Sequence, residues 1–268
     1  MTNQYLSSLQ DDYRKSLWAP FRKAITDYQL IEDGDHIAVC ISGGKDSMIM
    51  GLLFEKLLAH RELDIKVTHL VMNPGYHDTH LQQLKSNAQK LGLALEIFDI
   101  NVFEQITEAK LASKQCYLCA RKRRGHLYNK AQQLGCNKIA LGHHQDDLLE
   151  TLLMNLLFKG TYATLMPKIR SKNFTGLELI RPLIQVEEQA IIDYANQHHL
   201  EFLRCACPHE NRQEELGDRQ KAREILNQLL TVDPRIKASL LHSQSSVNLE
   251  QVLQTKNKET KVHFLDNY

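Results

Sequence analysis

The sequence predicts an α/β fold in which helices cover both faces of a parallel sheet. Short apolar runs alternate with helical stretches from residue 35 to about residue 158, and glycines follow two of the predicted strands, at Gly43 and at Gly142. An alternation of this kind gives parallel strands, because each crossover helix returns the chain to the same edge of the sheet. Ligands of such sheets bind at the carboxyl ends of the strands, where both glycine loops are expected.

Composition places the chain among ordinary globular proteins. It has 268 residues, a hydrophobic content of 43% and a net charge of +1. No apolar run is long enough for a membrane span and the polar N-terminus has no secretory leader, so we expect no membrane association and a cytoplasmic location. Nucleic-acid binding would have to come from local basic patches. The candidates are Arg121-Lys122-Arg123-Arg124 and the looser group Lys168, Arg170 and Lys172.

The pattern divides the chain into a helical segment over 1–34, a domain over 35–210 and a C-terminal helical extension over 211–268. Strands are predicted at 37–41, 65–71, 94–98, 138–141, 178–183 and 201–203. Helices are predicted at 45–60, 78–91, 117–134, from the Gly142 loop to about 158, and at 186–199, 215–230 and 234–246. Residues 161–176 are expected to be irregular, and the polar tail from about 250 to be loose. An apolar and aromatic stripe in the first segment is expected to pack on the domain: Tyr13, Leu17, Trp18, Phe21, Ile25 and Tyr28.

The loop after the first strand carries the strongest chemical signal. Ile37–Ile41 is followed at once by Ser42-Gly43-Gly44-Lys45-Asp46-Ser47 and then by an apolar helix. Glycines let backbone N–H groups close on a phosphate, and the start of a helix adds unpaired donors and a partial positive charge. The two serine hydroxyls and the Lys45 ammonium add further donors. The plain alternative is a glycine turn between a strand and a helix.

This loop resembles a known signature. The spacing is neither the Walker pattern nor G-x-G-x-x-G, but Ser42-Gly43-Gly44-Lys45-Asp46-Ser47 matches S-G-G-x-D-S of the PP-loop ATP pyrophosphatases. The resemblance implies a Rossmann-like PP-loop fold. It also implies that the loop holds the β- and γ-phosphates of ATP, which is split to AMP and pyrophosphate.

Six cysteines form a second constellation. Cys40 and Cys136 lie in or beside predicted strands and are expected to be buried core residues. The C-x-x-C of Cys116 and Cys119 and the remote pair Cys205 and Cys207 are left for metal or redox chemistry. Three thiolates are one short of a closed tetrahedral zinc site and suit a 4Fe-4S cluster with one open iron. The residues alone leave zinc and an iron–sulfur cluster as open alternatives.

Three further segments resemble the tRNA 2-thiocytidine synthetases. Cys116–Tyr128 is similar to C-x-L-C-x-R-x-R-R-G-x-L-Y, Lys138–Asp147 to K-I-A-L-G-H-H-x-D-D, and Ile180–Leu183 to I-R-P-L. The resemblance implies that the C2 oxygen of a base in tRNA attacks the α-phosphate of ATP. Sulfur then replaces AMP at C2, and a 4Fe-4S cluster is implied to carry that sulfur. It also implies a sulfur donor, either a cysteine desulfurase or inorganic sulfide, and a homodimer.

Site residues follow from the matched motifs. The phosphate-binding residues are Ser42, Gly43, Gly44, Lys45 and Ser47. Asp46 is expected to hold Mg²⁺, with a helix N-cap as the alternative. One of Asp146 and Asp147 is expected to reach the metal or the reacting base while the other caps a helix. Gly142 and His143 are expected at the nucleotide, with His143 and His144 sharing contact and packing roles. Val71 and Met72 are placed to meet the adenine, with ordinary core as the alternative.

The cluster ligands are expected to be Cys116, Cys119 and Cys207. The cytidine enzymes have a C-x-x-C near the remote cysteine where this chain has C-x-C, so Cys205 is the alternative third ligand. Arg121, Arg123 and Arg124 are expected to contact tRNA or ATP, although successive residues point about 100° apart on a helix and a solvated basic face is the alternative.

Three function classes remain distinct at this point. The leading interpretation is a cluster-containing tRNA-thiolating enzyme acting on cytidine of the anticodon loop, favoured over uridine because paired zinc-finger cysteines are missing. The segment Met72–His77 differs from the cytidine enzymes, which leaves another base open. The alternatives are a PP-loop adenylating ligase with structural zinc at Cys116 and Cys119, and a non-catalytic nucleotide-binding module.

Overall fold

The computed structural model of the chain describes residues 2–76, 78–100, 115–203, 217–256 and 259–267. The side chains of 2–3, 115–121 and 267 lie outside this description. The chain forms two compact units, one of residues 1–148 with 165–214 and one of residues 149–164 with 215–268.

A six-stranded sheet is the centre of the first unit. Its strand order is β3-β2-β1-β4-β6-β5, and every neighbouring pair is parallel except β5 with β6. This confirms the predicted parallel α/β sheet. The strands are β1 (His36–Cys40), β2 (Lys66–Asn73), β3 (Leu95–Asp99), β4 (Lys138–Ala140), β5 (Lys168–Arg170) and β6 (Glu178–Ile180).

The helices match the predicted alternation to within a few residues. In chain order they are α1 (Thr2–Gln10), α2 (Ala19–Asp27), α3 (Lys45–His60), α4 (Asp78–Leu91), α5 (Gln115–Gln133), α6 (Gln145–Lys159), α7 (Glu188–Gln197), α8 (Asp218–Val232) and α9 (Arg235–Ser243). A π-helical turn, Arg14–Trp18, precedes α2. None of the helices in the described ranges is long and apolar enough to cross a membrane.

The two faces of the sheet are covered by different helices because strand side chains alternate. Ala38 and Cys40 of β1 face α5, where they pack with Tyr128 and Ala131. The opposite face meets α3, and Gly51 of that helix lies against the side chain of Ile41. A Cβ on Gly51 would lie 2.9 Å from a methyl group of Leu93, so glycine permits this close packing.

The N-terminal segment packs in the same compact unit as the sheet. Phe21 is fully buried and meets Phe54 of α3 edge to face, with ring centroids 5.5 Å apart. Trp18 is also buried. The expected packing stripe is therefore confirmed, except that Tyr28 at its end is 40% exposed.

Three local expectations were wrong. Residues 161–176 were expected to be irregular but contain β5, which pairs antiparallel with β6. Residues 201–203 were expected to be a strand but form none; instead the carbonyl of Glu201 accepts hydrogen bonds from Gln83 and Asn87 of α4. The tail was expected to be loose but contains a two-stranded hairpin of β7 (Gln254–Lys256) and β8 (Lys261–His263).

The second unit contains a buried carboxylate. Glu150 of α6 is 2% exposed and accepts hydrogen bonds from Arg219 Nε at 3.0 Å and Arg223 Nε at 2.5 Å, both on α8. Two guanidinium groups therefore neutralise one buried charge and fasten α8 to α6.

Candidate active site

Loops from three neighbouring strands form the site at the carboxyl edge of the sheet. The glycine loop follows β1, residues 141–144 follow β4, and Arg181 follows β6. The backbone N–H of Leu141 donates to the carbonyl of Ile180, which fixes the second loop against the third. Parallel pairing brings these strand ends together although they lie up to 140 residues apart in the sequence.

The glycine loop is held in an open curve by its own serines. The N–H of Ser42 donates to Ser47 Oγ at 3.0 Å, and that hydroxyl donates to the carbonyl of Gly44 at 2.9 Å. Gly43 has a φ of +87°, which favours glycine. Helix α3 begins at Lys45 after an extended Gly44, and no side chain caps it. Asp46 is therefore not an N-cap, which removes the alternative assignment for this residue.

Two glycines permit close approaches that another residue would block. A Cβ on Gly43 would lie 2.6 Å from Leu203 Cδ1, and one on Gly142 would lie 3.2 Å from the backbone nitrogen of Ser47. The N–H of Leu203 donates to the carbonyl of Gly43 at 3.1 Å. The segment that leads into Cys205 is thus attached to the glycine loop, which the sequence did not indicate because it predicted a strand there.

A charged cluster lies beside the loop. Lys45 Nζ is 2.7 Å from Glu188 Oε1 and 3.2 Å from Asp46 Oδ1. Desolvation lowers the pKa of Lys45, but the hydrogen bond to Glu188 and the charges of Asp46 and Glu188 outweigh it, so the pKa is raised. The Asp46 pKa is also raised, because burial outweighs the attraction of Lys45 and His144. Glu188 was missed by the sequence analysis; its position at a helix start, five residues after Leu183, was the available signal.

The cluster has the donor set of a divalent-cation site. Ligand atoms of Asp46, His144 and Glu188 all lie within 4.8 Å of one another. Asp46 Oδ1 is buried and accepts no hydrogen bond, so it is the atom best placed to coordinate a cation. Carboxylate oxygens are the donors that Mg²⁺ prefers, and the buried imidazole of His144 lies 3.9 Å from both carboxylates. These residues therefore fit a magnesium ion.

The carboxylates of Asp146 and Asp147 each accept a hydrogen bond from a backbone N–H group beside the start of a helix. Asp147 Oδ2 accepts from the N–H of His144 at 2.9 Å, while the N–H of Asp147 donates to His144 Nδ1 at 3.4 Å. This is a reciprocal capping arrangement in which histidine replaces the usual serine or threonine. Asp146 Oδ2 accepts from the N–H of Glu188 at 2.8 Å and so ties the start of α7 to the start of α6.

The remaining nucleotide-site candidates lie at the same edge. Val71 and Met72 are 0% and 4% exposed, so their side chains belong to the core. Both residues lie near the end of β2, which continues through Asn73, so a ligand at this edge could contact only their backbone groups. His143 is half-buried, and its N–H donates to the carbonyl of Leu141.

The cysteine candidates are only partly described. Cys116 and Cys119 lie in the first turns of α5, but their side chains and that of Arg121 are outside the described residues, as are Cys205 and Cys207 entirely. Arg123 is half-buried and Arg124 exposed on the same helix. Cys40 and Cys136 are confirmed as core residues, and burial raises the pKa of their thiols to about 12 and about 11.

The direction of α5 places its first turns at the carboxyl edge of the sheet. The helix ends just before β4 begins, so it runs antiparallel to the strands and starts at their carboxyl edge. Its 19 residues span about 28 Å, whereas the five residues of β1 span about 17 Å. The turns that carry Cys116 and Cys119 therefore extend beyond the strand ends.

A family model described as a PP-loop domain matches residues 17–229. The chain belongs to the PP-loop family. Two curated relatives of this PP-loop protein are the tRNA-cytidine(32) 2-sulfurtransferases of Syntrophotalea carbinolica and Geobacter sulfurreducens. The first is 34% identical over 238 residues, covering 88% of this chain and 91% of the relative. The second is 35% identical over 232 residues, covering 86% of this chain and 89% of the relative.

A solved structure supports the fold of this PP-loop protein. The U34-tRNA thiolase NcsA from Methanococcus maripaludis, solved with its 4Fe-4S cluster, superposes with a TM-score of 0.63. The match covers 85% of this chain and 76% of the thiolase at 20% sequence identity. At that identity the likeness concerns the arrangement of strands and helices.

Proposed function

We propose that this PP-loop protein is an ATP-dependent tRNA sulfurtransferase that replaces the C2 oxygen of a cytidine in the anticodon loop with sulfur. Curated relatives with this activity in their names match almost the whole chain. The geometric observation that carries the proposal is the hydrogen bond from Leu203 to Gly43. Leu203 is the last described residue before Cys205, so the chain is bonded to the phosphate loop two residues before this thiol in the sequence.

The loop after β1 supplies the groups that would bind ATP. The uncapped start of α3 and the Gly43–Gly44 backbone offer N–H donors to the β- and γ-phosphates. Lys45, now paired with Glu188, would turn to the phosphates and stabilise the negative charge that develops on pyrophosphate. Backbone groups at the end of β2 would meet the adenine.

Asp46 and Glu188 would hold Mg²⁺, which supplies positive charge to the triphosphate. The buried Oδ1 of Asp46 supports this assignment. His144 is fixed by its reciprocal caps with Asp147, so it can orient the cation-binding carboxylates. Asp146 keeps the start of α7, and with it Glu188, at the same place.

Cys116, Cys119 and Cys207 would hold the 4Fe-4S cluster, with Cys205 as the alternative third ligand, and the cluster would supply a site at which sulfur is bound and delivered. The start of α5 at the carboxyl edge supports this placement. The sulfur itself would come from a cysteine desulfurase or from inorganic sulfide. Arg121, Arg123 and Arg124 on the same helix would contact the tRNA.

The reaction has two balanced steps. The C2 oxygen of the base forms a bond to the α-phosphorus of ATP while the bond to the β-phosphate oxygen breaks, and pyrophosphate leaves with that electron pair. A sulfur nucleophile then bonds to C2 and the C2–O bond breaks, releasing AMP. The first step is needed because a C2 oxygen is a poor leaving group until it is a phosphate ester.

Mass spectrometry of tRNA nucleosides tests the proposal. A strain lacking the gene should lose one thiolated nucleoside, and the wild-type gene should restore it. An Asp46→Asn gene should not restore it, whereas Glu187→Gln, which removes an exposed charge beside Glu188, should. An unchanged nucleoside profile in the deletion strain would refute thiolation. Zinc in place of iron in anaerobically purified protein would instead favour the adenylating ligase.

A further inference from the structure

Arg181 is a buried cation that the proposed reaction does not use. It follows β6 directly, and the residue is 7% exposed. Its Nη1 donates to the carbonyl of Met166, but its Nε is buried without an acceptor. Across the ranges that the structure describes, no carboxylate lies within 4.0 Å of this guanidinium. Burying a charge without a counterion is costly, so such a site is suited to an anionic ligand.

One neighbour of Arg181, Arg124, also carries a positive charge. The pKa of Arg181 is lowered to about 10, chiefly by burial and in smaller part by the charge of Arg124 on α5, while Tyr128 and Asp147 act in the opposite direction. The carboxylate of Asp147 already accepts the N–H of His144 in the cap of α6. Arg124 is exposed, and the structure gives it no ion pair with any described residue. Two positive charges therefore influence each other at this edge, and Asp147, which already caps α6, is the carboxylate that acts on Arg181.

Arg181 lies apart from the glycine loop along the edge of the sheet. Arg181 follows β6, whereas the glycine loop follows β1, and β4 lies between them. Two strand spacings amount to about 10 Å. The triphosphate already has an uncapped helix start and Lys45 at β1. An anion at Arg181 would lie on the far side of the His143–His144 loop from that position.

We propose that Arg181 and Arg124 form a second phosphate site, which binds a phosphodiester of the RNA substrate beside the nucleotide being modified. This rests on the proposed function. Guanidinium groups bind phosphate oxygens through paired N–H donors, and Arg181 offers Nε for such a contact. A fixed phosphate at this edge would set the register of the RNA strand over the glycine loop.

RNA binding as a function of salt tests this site. The probe is an unmodified transcript of tRNA, with affinity measured over a range of KCl concentrations for wild type, Arg181→Gln, Arg124→Gln and the double variant. Each lost phosphate contact should reduce the slope of log affinity against log salt by about 0.7–0.9. The affinity at low salt should fall by about tenfold for each single variant. The double variant should lose little more, because both groups bind one phosphate.

Arg22→Gln is the matched control. It removes the same charge from α2, where Arg22 is exposed and paired with Glu62. It should leave the slope unchanged, and ATP affinity should stay within about twofold for all variants. If Arg181→Gln does not fold, Arg124→Gln alone decides, because that side chain is exposed.

Two outcomes would overturn this inference. Unchanged RNA affinity and slope in folded Arg124→Gln and Arg181→Gln would show that no RNA phosphate binds there. Loss of ATP affinity with RNA binding intact would assign the pair to the nucleotide. Either result leaves the proposed function standing, which fails separately if wild-type protein does not bind tRNA or if the thiolated nucleoside persists in the deletion strain.

Discussion

At the scale of single residues, two independent features of the structure favour glycine at position 43. Its φ of +87° disfavours other residues, and its missing Cβ leaves room for Leu203. Gly176 has a similar φ of +80° but nothing within 4 Å of its Cβ position. Substitutions at the two positions therefore distinguish the effect of backbone strain, which both share, from the effect of steric contact, which only Gly43 has.

Gly43→Ala and Gly176→Ala should both lower the free energy of unfolding by about 1–2 kcal/mol through the left-handed backbone. Only Gly43→Ala should also displace Leu203 and weaken ATP binding, by about tenfold or more. Chemical unfolding and calorimetric titration with ATP check the two effects. Equal ATP affinity in both variants would show that the contact with Leu203 does not shape the phosphate loop.

The ionised carboxylate of Asp46 should lower the folding stability of the protein, because it is buried at the site where it would bind magnesium. Burial raises its pKa above the ordinary 3.8, so the folded protein binds this proton more tightly than the unfolded chain does. Stability therefore falls as the pH rises through the raised pKa. Without magnesium, Asp46→Asn should raise the melting temperature at pH 7 by about 1–3 °C. The gain should vanish below pH 3.8, where both states are protonated. A lower melting temperature at pH 7 would show that the pairing with Lys45 dominates instead.

At the scale of elements, the apolar periodicity of the sequence predicted the long helices but missed the short strand β5. The helices that cover the sheet were located because their apolar periodicity extends over 14 to 19 residues. Strand β5 has three residues and alternates too briefly to be distinguished from a loop. Residues 201–203 are apolar enough for a strand, yet their backbone bonds go to α4 and to the glycine loop.

The same limit applied to the site. The motif residues of the glycine loop are contiguous in the sequence, so their proximity could be predicted. Glu188 is 143 positions from Lys45, and only the parallel pairing of β1, β4 and β6 brings the two together. No pattern in the sequence links two residues so far apart, so the pairing of Glu188 with Lys45 is visible only in the folded chain.

The first turns of α5 should be required for iron. Cys116→Ser and Cys119→Ser should each reduce the iron content of anaerobically purified protein by about tenfold, because the proposed cluster already has one thiolate fewer than the usual four. Comparing Cys205→Ser with Cys207→Ser identifies the third ligand. Cys136→Ala is the control, since this buried thiol has a pKa of about 11 and lies in the core. Its loss should lower stability but keep the iron. Full iron retention in Cys116→Ser would contradict the assignment.

At the scale of the whole molecule, α6 links the chemistry to the second unit by chain continuity. Its first residues, 145–148, belong to the unit with the sheet and carry the caps around His144, whereas residues 149–159 belong to the other unit. Within that second unit the clamp on Glu150 secures α8, the helix that follows the segment containing Cys205 and Cys207. The clamp thus secures the helix that follows that segment in the sequence, and Leu203, which precedes the segment, is bonded to the glycine loop.

Removing the clamp should therefore affect both stability and iron binding. Glu150→Ala leaves two half-exposed guanidiniums without their buried partner and should cost about 2–4 kcal/mol of unfolding free energy, near the lower end for a buried pair because water reaches both arginines. Arg235→Ala in the same unit breaks an exposed pair with Asp233 and should change nothing measurable. If α8 positions the cysteine segment, folded Glu150→Ala should also lose iron faster to a chelator. Equal iron release from the two variants would show that the segment is held by Leu203 and its thiolates alone.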